Sequence, residues 1–286
     1  MVKMQSGKPS RTALAAARHR AAHQVIEQGR IFSDPLAMRI LGEDPETLIR
    51  EAEEDQFSRW VRIFVAARTR IAEDALAKAV GHGVRQLVIL GAGLDTYAYR
   101  SPFGDCLHIF EVDHPVTQAW KRKRLAEAAI PLPNWLTFIA VDFEHETLAD
   151  RLLSAGFNLE RQTFFTWLGV VQYLTESAIW STLSYIASLP SGAHVVFDYA
   201  NPPSSYSLRM QAAHEWRANR VAKLGEPFVT HFETEKLHDT LRTLGYFCIE
   251  DLGLPQIVKR FYPNSTGSFS EHGSHVLHAS TDKVPF

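Results

Sequence analysis

An apolar run in the first third of the chain leads directly into a glycine turn. The run Leu87–Leu90 is followed by Gly91, Ala92, Gly93 and, after one leucine, Asp95. About twenty residues later a second apolar run ends in Glu111 and Asp113. A strand, a glycine turn, a helix and a strand that ends in carboxylates form the first half of a nucleoside-binding α/β unit. Glycine lets the backbone approach a ligand closely, and a carboxylate can accept hydrogen bonds from both ribose hydroxyls.

The glycine turn departs from the pattern of a dinucleotide site. Thr96 stands at the position of the usual third glycine, and the bulky Tyr97 follows it. A dinucleotide needs its pyrophosphate held at the helix N-terminus, where that glycine allows close packing. S-adenosylmethionine carries adenosine without a phosphate. The pattern therefore favours S-adenosylmethionine, and an NAD(P)-dependent oxidoreductase is the second hypothesis.

Composition indicates a soluble globular chain of 286 residues, with 45% hydrophobic and 22% charged residues. The formal net charge of −2 argues against nucleic-acid or anionic-membrane partners, and no apolar stretch reaches the ~18 residues of a membrane span. Cys106 and Cys248 form no Cys-x-x-Cys pair, so both are predicted to be buried thiols in a reducing compartment. We expect a cytoplasmic monomer or homodimer.

Apolar runs alternate with helical patterns from Gln86 onward, which predicts an α/β fold with a Rossmann-like, mostly parallel sheet covered by helices on both faces. Five strands are predicted at 86–90, 106–112, 136–141, 162–167 and 194–199, with helices near 114–129, 145–155 and 175–188. Two further strands near 246–250 and 275–280 complete a seven-stranded sheet. A loop containing Pro255, Pro263 and Gly267 is predicted between them.

The chain is predicted to be a single domain, residues 1–286. Helical patterns over 10–29, after Asp34-Pro35 and up to Val80 form an N-terminal helical cap, residues 1–80, before a core over 81–286. Residues 201–230 interrupt the alternation with Pro202, Pro203 and a helical piece. Since the loop after a fifth strand emerges at the ligand-binding edge, this insertion is predicted to be a lid.

Two polar features can be read in two ways. Arg68 lies on the apolar stripe of the long helix; it either packs its stem at the stripe edge or turns inward to clamp a carboxylate. Asp142 and Phe143 follow the third strand. Asp142 either favours the start of a helix or, with Phe143, binds an adenine.

Aromatic residues follow the fourth strand. Trp167 and Tyr173 are either large core residues or the walls around a sulfonium, which an aromatic ring can contact as a cation. Asn201-Pro202-Pro203 is predicted to be a turn. The charge run 121–124 is predicted to be largely solvated. His272, His275 and His278 alternate between the faces of a strand, so no metal site is predicted.

The sequence resembles the leucine carboxyl methyltransferase-like family of S-adenosylmethionine-dependent enzymes. Matching segments occur in order along the chain: Arg20, 32–35, 66–70, 90–96 with Tyr99-Arg100, 111–115, 167–174 and 225–228. The resemblance implies a seven-stranded class I methyltransferase fold with extra N-terminal helices. One departure stands at Leu168, where the family commonly has glutamate.

The resemblance also implies roles for residues of this chain. Arg68 would bind the cofactor's carboxylate, Gly91 would line its methionine end, and Arg20 would reach the carboxylate of cofactor or substrate. Asp113 would bind the ribose, with Glu111 as the alternative, and Asp142 and Phe143 would flank the adenine. The remaining cofactor residues predicted here are Ala92, Gly93, Asp95 and Trp167.

The reaction is predicted to be O-methylation of a carboxylate or hydroxyl on a small molecule of secondary metabolism. A carboxylate is already ionised at neutral pH and needs no base, whereas a hydroxyl benefits from one. The candidate catalytic residues are Tyr173, Tyr199, His214 and His231. C- or N-methylation of an aromatic, indole-like acceptor and a non-catalytic cofactor-binding protein stay open as alternatives.

Overall fold

The computed structural model describes residues 9–54, 58–142 and 146–283. Four helices precede the first strand: α1 (Arg11–Ile26), α2 (Ala37–Leu41), α3 (Pro45–Glu54) and α4 (Ser58–Gly81). The alternating part contains β1 (Gln86–Leu90), β2 (His108–Asp113), α5 (Pro115–Glu127), β3 (Leu136–Ala140), α6 (Leu148–Ser154), β4 (Thr163–Trp167), α7 (Glu176–Ala187) and β5 (Ala193–Ala200). It is followed by α8 (Leu208–Lys223), α9 (Thr234–Thr243), β6 (Cys248–Leu252), α10 (Leu254–Phe261) and β7 (Ser274–Ser280).

The strands form one seven-stranded sheet in the order β3-β2-β1-β4-β5-β7-β6. The pairs within β1–β5 are parallel, and β7 lies antiparallel between β5 and β6. The predicted mostly parallel sheet is therefore confirmed. Because β1 lies at the point where the strand order reverses, its carboxyl end opens into the crevice in which such sheets bind ligands.

Two apolar clusters cover the two faces of the sheet. On the α7 face, Ile179 and Leu183 of α7 pack with Phe165 and Phe197. On the α4 face, Ile71 and Leu76 of α4 join a second cluster that includes Leu87, Phe164 and Val196. Neighbouring residues of a strand point to opposite faces, so each position can be assigned to the face of its cluster.

The N-terminal helices are held by local capping. The Ser10 hydroxyl accepts a hydrogen bond from Ala13 N at 3.1 Å and so caps the start of α1. Gly42 ends α2 with φ of +58°, a left-handed conformation that glycine adopts readily. Ala17, Ile40 and Leu48 of α1, α2 and α3 pack into a third cluster with Leu125 of α5.

Two sequence predictions are wrong, and a third has one exception. Helix α10 occupies part of the predicted loop, because Pro255 lies in its first turn, where the missing N–H is no loss. Cys106 is exposed, whereas a buried thiol was predicted. Lys121 is 1% exposed although it belongs to the run predicted to be largely solvated; its partner is described below.

Two further features concern the segment 201–230 and the lengths of the helices. The segment 201–230 contains α8, as the predicted helical piece requires, and α8 contributes no fully buried side chain. Over the described residues, the helices include none that has the length and apolar character needed to cross a bilayer.

Candidate active site

The glycine turn after β1 is held tightly against its neighbours. Gly91 and Gly93 have φ values of +66° and +43°, which a side chain would strain. A Cβ on Gly91 would lie 2.5 Å from Val170 Cγ2, and one on Gly93 would lie 2.9 Å from Ala13 Cβ. The N–H groups of Gly91 and Ala92 both donate to Val112 O. The turn therefore presents bare backbone at the carboxyl edge of the sheet.

Asp113 ends β2 beside this turn. Its carboxylate accepts hydrogen bonds from Gly93 N at 2.5 Å and from His114 N at 2.7 Å. Burial raises the pKa of the Asp113 carboxyl, and the two backbone donors oppose that rise. Asp95 is also engaged locally, because its Oδ1 accepts from Tyr97 N at 2.7 Å. The structure thus places Asp113 against the glycine turn.

Glu111 belongs to a buried ionic cluster. Lys121 Nζ lies 2.7 Å from Glu111 Oε2, and both side chains are 1% exposed. The Tyr99 hydroxyl donates to the same oxygen at 3.1 Å. Burial raises the pKa of Glu111 to about 7 despite the ammonium of Lys121. This geometry argues against Glu111 as the alternative ribose ligand.

Arg68 turns inward from α4, as one of its two interpretations predicts. Its Nη1 donates to Asp198 Oδ2 at 2.8 Å, and the two side chains are 10% and 4% exposed. Asp198 Oδ1 also accepts from Gly169 N at 2.5 Å. Sequence reasoning missed Asp198, because it lies within a continuous apolar strand. Asp198 is the one acidic residue of β5, and this could have identified it from the sequence.

Gly169 fits this pair closely. Its φ is +74°, and an added Cβ would lie 2.6 Å from Arg68 Nη2. Arg68 Nε is buried and has no hydrogen-bond partner in the part of the chain that the structure describes. The guanidinium therefore retains a donor that a further acceptor could use.

Arg20, on α1, contacts the backbone just after the glycine turn. Its Nη2 donates to Leu94 O at 2.5 Å, and its Nε lies 3.5 Å from Asp34 Oδ2. The same oxygen of Asp34 accepts from the Thr96 hydroxyl at 2.6 Å. Arg20 and Thr96 thus tie the glycine turn to the N-terminal helices. These contacts support a positioning role for Arg20 rather than the predicted carboxylate contact.

Helix α8 brings a cation toward Arg68, beside aromatic side chains from neighbouring segments. The Arg217 guanidinium lies over the Phe228 ring, 5.5 Å from its centroid. Phe228 also lies 5.5 Å from Tyr173, measured between ring centroids. Burial lowers the pKa of Arg217, with Tyr173, Tyr206, Arg68 and Asp198 near enough to act on it electrostatically. Arg217 makes no hydrogen bond or ion pair within the described ranges. Sequence reasoning did not select it, since it lies in a mixed polar helix.

Three histidines belong to the same region. His214 and His231 lie 5.3 Å apart, measured between ring centroids. Burial lowers the pKa of His214 to about 4, and that of His231 is lowered by burial as well. His19 of α1, which sequence reasoning missed, has a pKa lowered to about 3 by burial and by Arg62, Arg217, Arg220 and Arg68. These imidazoles are therefore neutral at pH 7.

Glu226 closes the region on one side by capping α1 from a distant part of the chain. Its carboxylate accepts from Arg11 N at 2.7 Å, from Thr12 N at 3.2 Å and from the hydroxyls of Ser10 and Thr12. Free N–H groups and the helix dipole favour an anion at this end. We call this contact the Glu226 clasp.

Tyr199 and Trp167 both point to the α7 face. The Tyr199 hydroxyl donates to Asp251 Oδ2 at 2.7 Å, and its ring stacks on His275. Burial, followed by the charge of Asp251, raises the pKa of Tyr199. Trp167 is 3% exposed in the cluster of that face. Since Asp198 points to the α4 face, this geometry supports packing roles for both residues. Tyr173 has a pKa raised to about 12 by burial, so it is protonated at pH 7.

The third strand contributes Asp142, which is half-buried just beyond β3. Its N–H donates to Glu146 Oε2 at 3.0 Å. Phe143, predicted to contact the adenine, lies outside the described residues. Within the described ranges, no group of three or more His, Cys, Asp or Glu side chains is placed so that it could hold a metal ion. The Asn201 turn is confirmed by the short 3₁₀ helix Pro203–Ser205.

The strand order, the glycine turn after β1 and the acid at the end of β2 are those of the class I S-adenosylmethionine-dependent methyltransferase fold. The family model described as leucine carboxyl methyltransferase matches residues 13–187, and this chain belongs to that family.

Two curated relatives agree with this assignment. YktD of Bacillus subtilis (strain 168), provisionally named as an S-adenosyl-L-methionine-dependent methyltransferase, is 30% identical over 302 residues, which covers 96% of this chain and 99% of YktD. FRAAL3718 of Frankia alni, with the same provisional name, is 34% identical over a stretch that covers 62% of this chain and 64% of that protein.

Two solved structures show the fold. A protein of Thermobifida fusca YX, provisionally described as a methyltransferase, superposes with a TM-score of 0.54 at 13% identity, covering 96% of each chain. A DUF574 family protein of Streptomyces avermitilis MA-4680 gives 0.52 at 16% identity, covering 92% of this chain and 97% of that one.

The chain is thus an S-adenosylmethionine-dependent methyltransferase, and S-adenosylmethionine is its cofactor. The site residues fit this cofactor: the glycine turn leaves no room for side chains, and Arg68 Nε is a buried donor without a partner in the described part. The oxidoreductase and non-catalytic hypotheses are set aside by the family.

Proposed function

We propose that this enzyme transfers a methyl group to a carboxylate oxygen of a small, aromatic molecule. The observation that carries the proposal is Arg217, a guanidinium that faces Tyr173 and Phe228 without an ion pair among the described residues. A planar guanidinium binds a carboxylate through two parallel hydrogen bonds. The net charge of −2 gives no support to a nucleic-acid acceptor.

On the cofactor side, we propose that Arg68 binds the carboxylate of S-adenosylmethionine and that Asp113 binds the ribose. The turn Gly91–Gly93 would receive the methionine end, and Asp142 lies at the edge where the adenine belongs. The support is the position of these residues at the carboxyl ends of β1, β2 and β3, with Arg68 Nε available as a donor.

The cofactor supplies a methyl group on a positively charged sulfur. The chain has to hold the acceptor oxygen at near-attack distance, ~3 Å from that carbon, and to keep water away. Arg217 orients the acceptor carboxylate, while Tyr173, Tyr206 and Phe228 exclude solvent. A carboxylate with a pKa near 4 is ionised at pH 7, so no side chain has to accept a proton.

The proposal is tested with methyl-labelled S-adenosylmethionine and a panel of aromatic carboxylic acids, phenols and indoles. We expect label in a methyl ester, which alkali releases as methanol, whereas ethers and N- or C-methyl products keep it. Arg217→Gln should raise KM for the acid about 10- to 100-fold, the value of a charge-assisted hydrogen bond. Arg209→Gln, an exposed arginine on the same helix, is the matched control. Label found solely in alkali-stable products would contradict the proposal.

A hydroxyl acceptor is the second candidate, favoured by the neutral pair His214 and His231. Either imidazole could take the proton that a hydroxyl releases. In that case His214→Gln should lower kcat about 10²- to 10⁴-fold, the usual contribution of a general base. With a carboxylate acceptor no proton has to be removed, so the same substitution should not cause this loss of kcat.

A further inference from the structure

The Arg68–Asp198 pair places opposite charges side by side in the interior. The two side chains meet at 2.8 Å where β4 and β5 end, and Gly169 N fixes the second carboxylate oxygen at 2.5 Å. Withdrawing two charges from water is costly, and apolar residues often replace such a pair without loss of stability. A role beyond stability is therefore to be sought for Asp198.

A ligand of complementary chemistry is already assigned to this enzyme. The methionine half of S-adenosylmethionine carries a carboxylate and an ammonium on one carbon, so its recognition calls for a cation and an anion in adjacent positions. Arg68 and Asp198 present this arrangement. Arg68 uses only Nη1 toward Asp198, and its buried Nε has no partner in the described part of the chain.

Three other carboxylates described above have partners other than Arg68. Glu111 is paired with Lys121, Glu226 caps α1, and Asp113 receives the N–H of Gly93. Position 168, next to Gly169, carries a leucine that packs with the apolar cluster of the α4 face. Asp198, bound to the N–H of Gly169, is thus the carboxylate in contact with Arg68.

We propose that Asp198 accepts a hydrogen bond from the ammonium of S-adenosylmethionine while Arg68 binds the cofactor's carboxylate. The inference rests on the proposed placement of the cofactor's methionine end beside Arg68. It makes Asp198 a cofactor-binding residue in addition to the partner of Arg68.

Isothermal titration calorimetry with two ligands tests the assignment on the intact protein. The first is S-adenosylhomocysteine, and the second is its analogue with the amino group replaced by hydrogen. The wild type should bind S-adenosylhomocysteine about 10- to 100-fold more tightly, as expected for a charge-assisted hydrogen bond. Asp198→Asn should weaken S-adenosylhomocysteine by that factor and leave the affinity for the analogue unchanged.

A purely structural role gives a different result. If Asp198 only orients Arg68, Asp198→Asn weakens both ligands equally, which overturns the proposal. Equal affinities of the wild type for the two ligands also overturn the proposal. This comparison needs no variant, so the proposal can be tested even if Asp198→Asn misfolds. Asp74→Asn, which removes a carboxylate bound to Arg70 and Arg260 on the surface of α4, should leave both affinities unchanged. No acceptor is present, so failure of the carboxylate-acceptor proposal does not affect the outcome.

Discussion

Single residues around the site show how charge is placed in a largely apolar sheet. The position of Arg68 on an apolar stripe left two arrangements open, at the stripe edge or turned inward, and the structure shows the second. Lys121 could not be predicted, since a run of four cations gives no sign of which one points to the core. Asp198 was not predicted because it lies within an apolar strand, and Arg217 was not predicted because it lies in an amphipathic helix. A buried charge can be recognised once its counter-ion is known. Which two residues form the pair depends on the tertiary structure, so the sequence pattern does not reveal it.

The Glu111–Lys121 pair leads to a prediction about stability. Lys121→Met leaves Glu111 buried without its cation, so the free energy of unfolding should fall by about 3–5 kcal/mol at pH 8. The pKa of folded Glu111 is raised to about 7 from 4.5. The stability that this shifted pKa contributes to the folded state is therefore full below pH 4.5 and is lost as pH rises through 7. The variant should consequently lose less stability at pH 5 than at pH 8.

Urea unfolding at pH 5 and pH 8 measures this difference. Lys123→Met, in which the replaced side chain is 74% exposed, serves as the control and should change stability by at most about 0.5 kcal/mol. A loss for Lys121→Met that is the same at both pH values would show that Glu111 is not the group responsible.

Among the elements, the regular α/β alternation could be read from the sequence almost completely. Strand β1 has the bounds predicted for it, and β4, β5 and β7 lie within one residue of theirs, because short apolar runs between turn residues are typical of buried strands. Helix α10 was mistaken for a loop. Pro255 and Gly253 were taken as breakers, although proline in the first turn of a helix starts it. The capping of α1 by Glu226 could not be predicted, since it joins segments more than two hundred residues apart.

The Glu226 clasp predicts that the segment 201–230 and α1 move together. Glu226→Gln keeps the shape but removes the charge at the start of α1, so we expect a loss of about 1 kcal/mol. Hydrogen exchange should become faster in the first turn of α1 and in α8. Glu215→Gln, an exposed acid on α8, is the control. Unchanged exchange in α1 would show that the clasp does not couple α1 to the segment 201–230.

At the level of the whole molecule, several buried histidines make stability depend on pH. Burial lowers the pKa of His19 to about 3 and that of His214 to about 4. In the unfolded chain both titrate near 6.5. The stability that they contribute is therefore complete above pH 6.5 and declines as pH falls toward the folded values, because the unfolded state takes up protons first. Glu111 and Asp113, with raised pKa values, act in the opposite direction.

The histidine contribution is isolated by comparing variants. Replacing His19 and His214 with Gln should reduce the slope of unfolding free energy against pH, between pH 6.5 and 4.5, by at most about 1.4 kcal/mol per pH unit for each histidine. Urea denaturation at a series of pH values gives the slope. His272→Gln, on an exposed segment, should leave it as in the wild type. A slope that the double variant shares with the wild type would contradict the prediction.

The antiparallel strand β7 lies between β5 and β6, although both precede it along the chain. During synthesis on the ribosome, β5 consequently keeps an open edge until residues 274–280 have emerged. The hydrogen bonds from Tyr199 and His275 to Asp251 form only then. In the nascent methyltransferase the sheet is thus completed on this side by a strand that follows both of its neighbours in the sequence, and the incomplete sheet is what a chaperone would encounter.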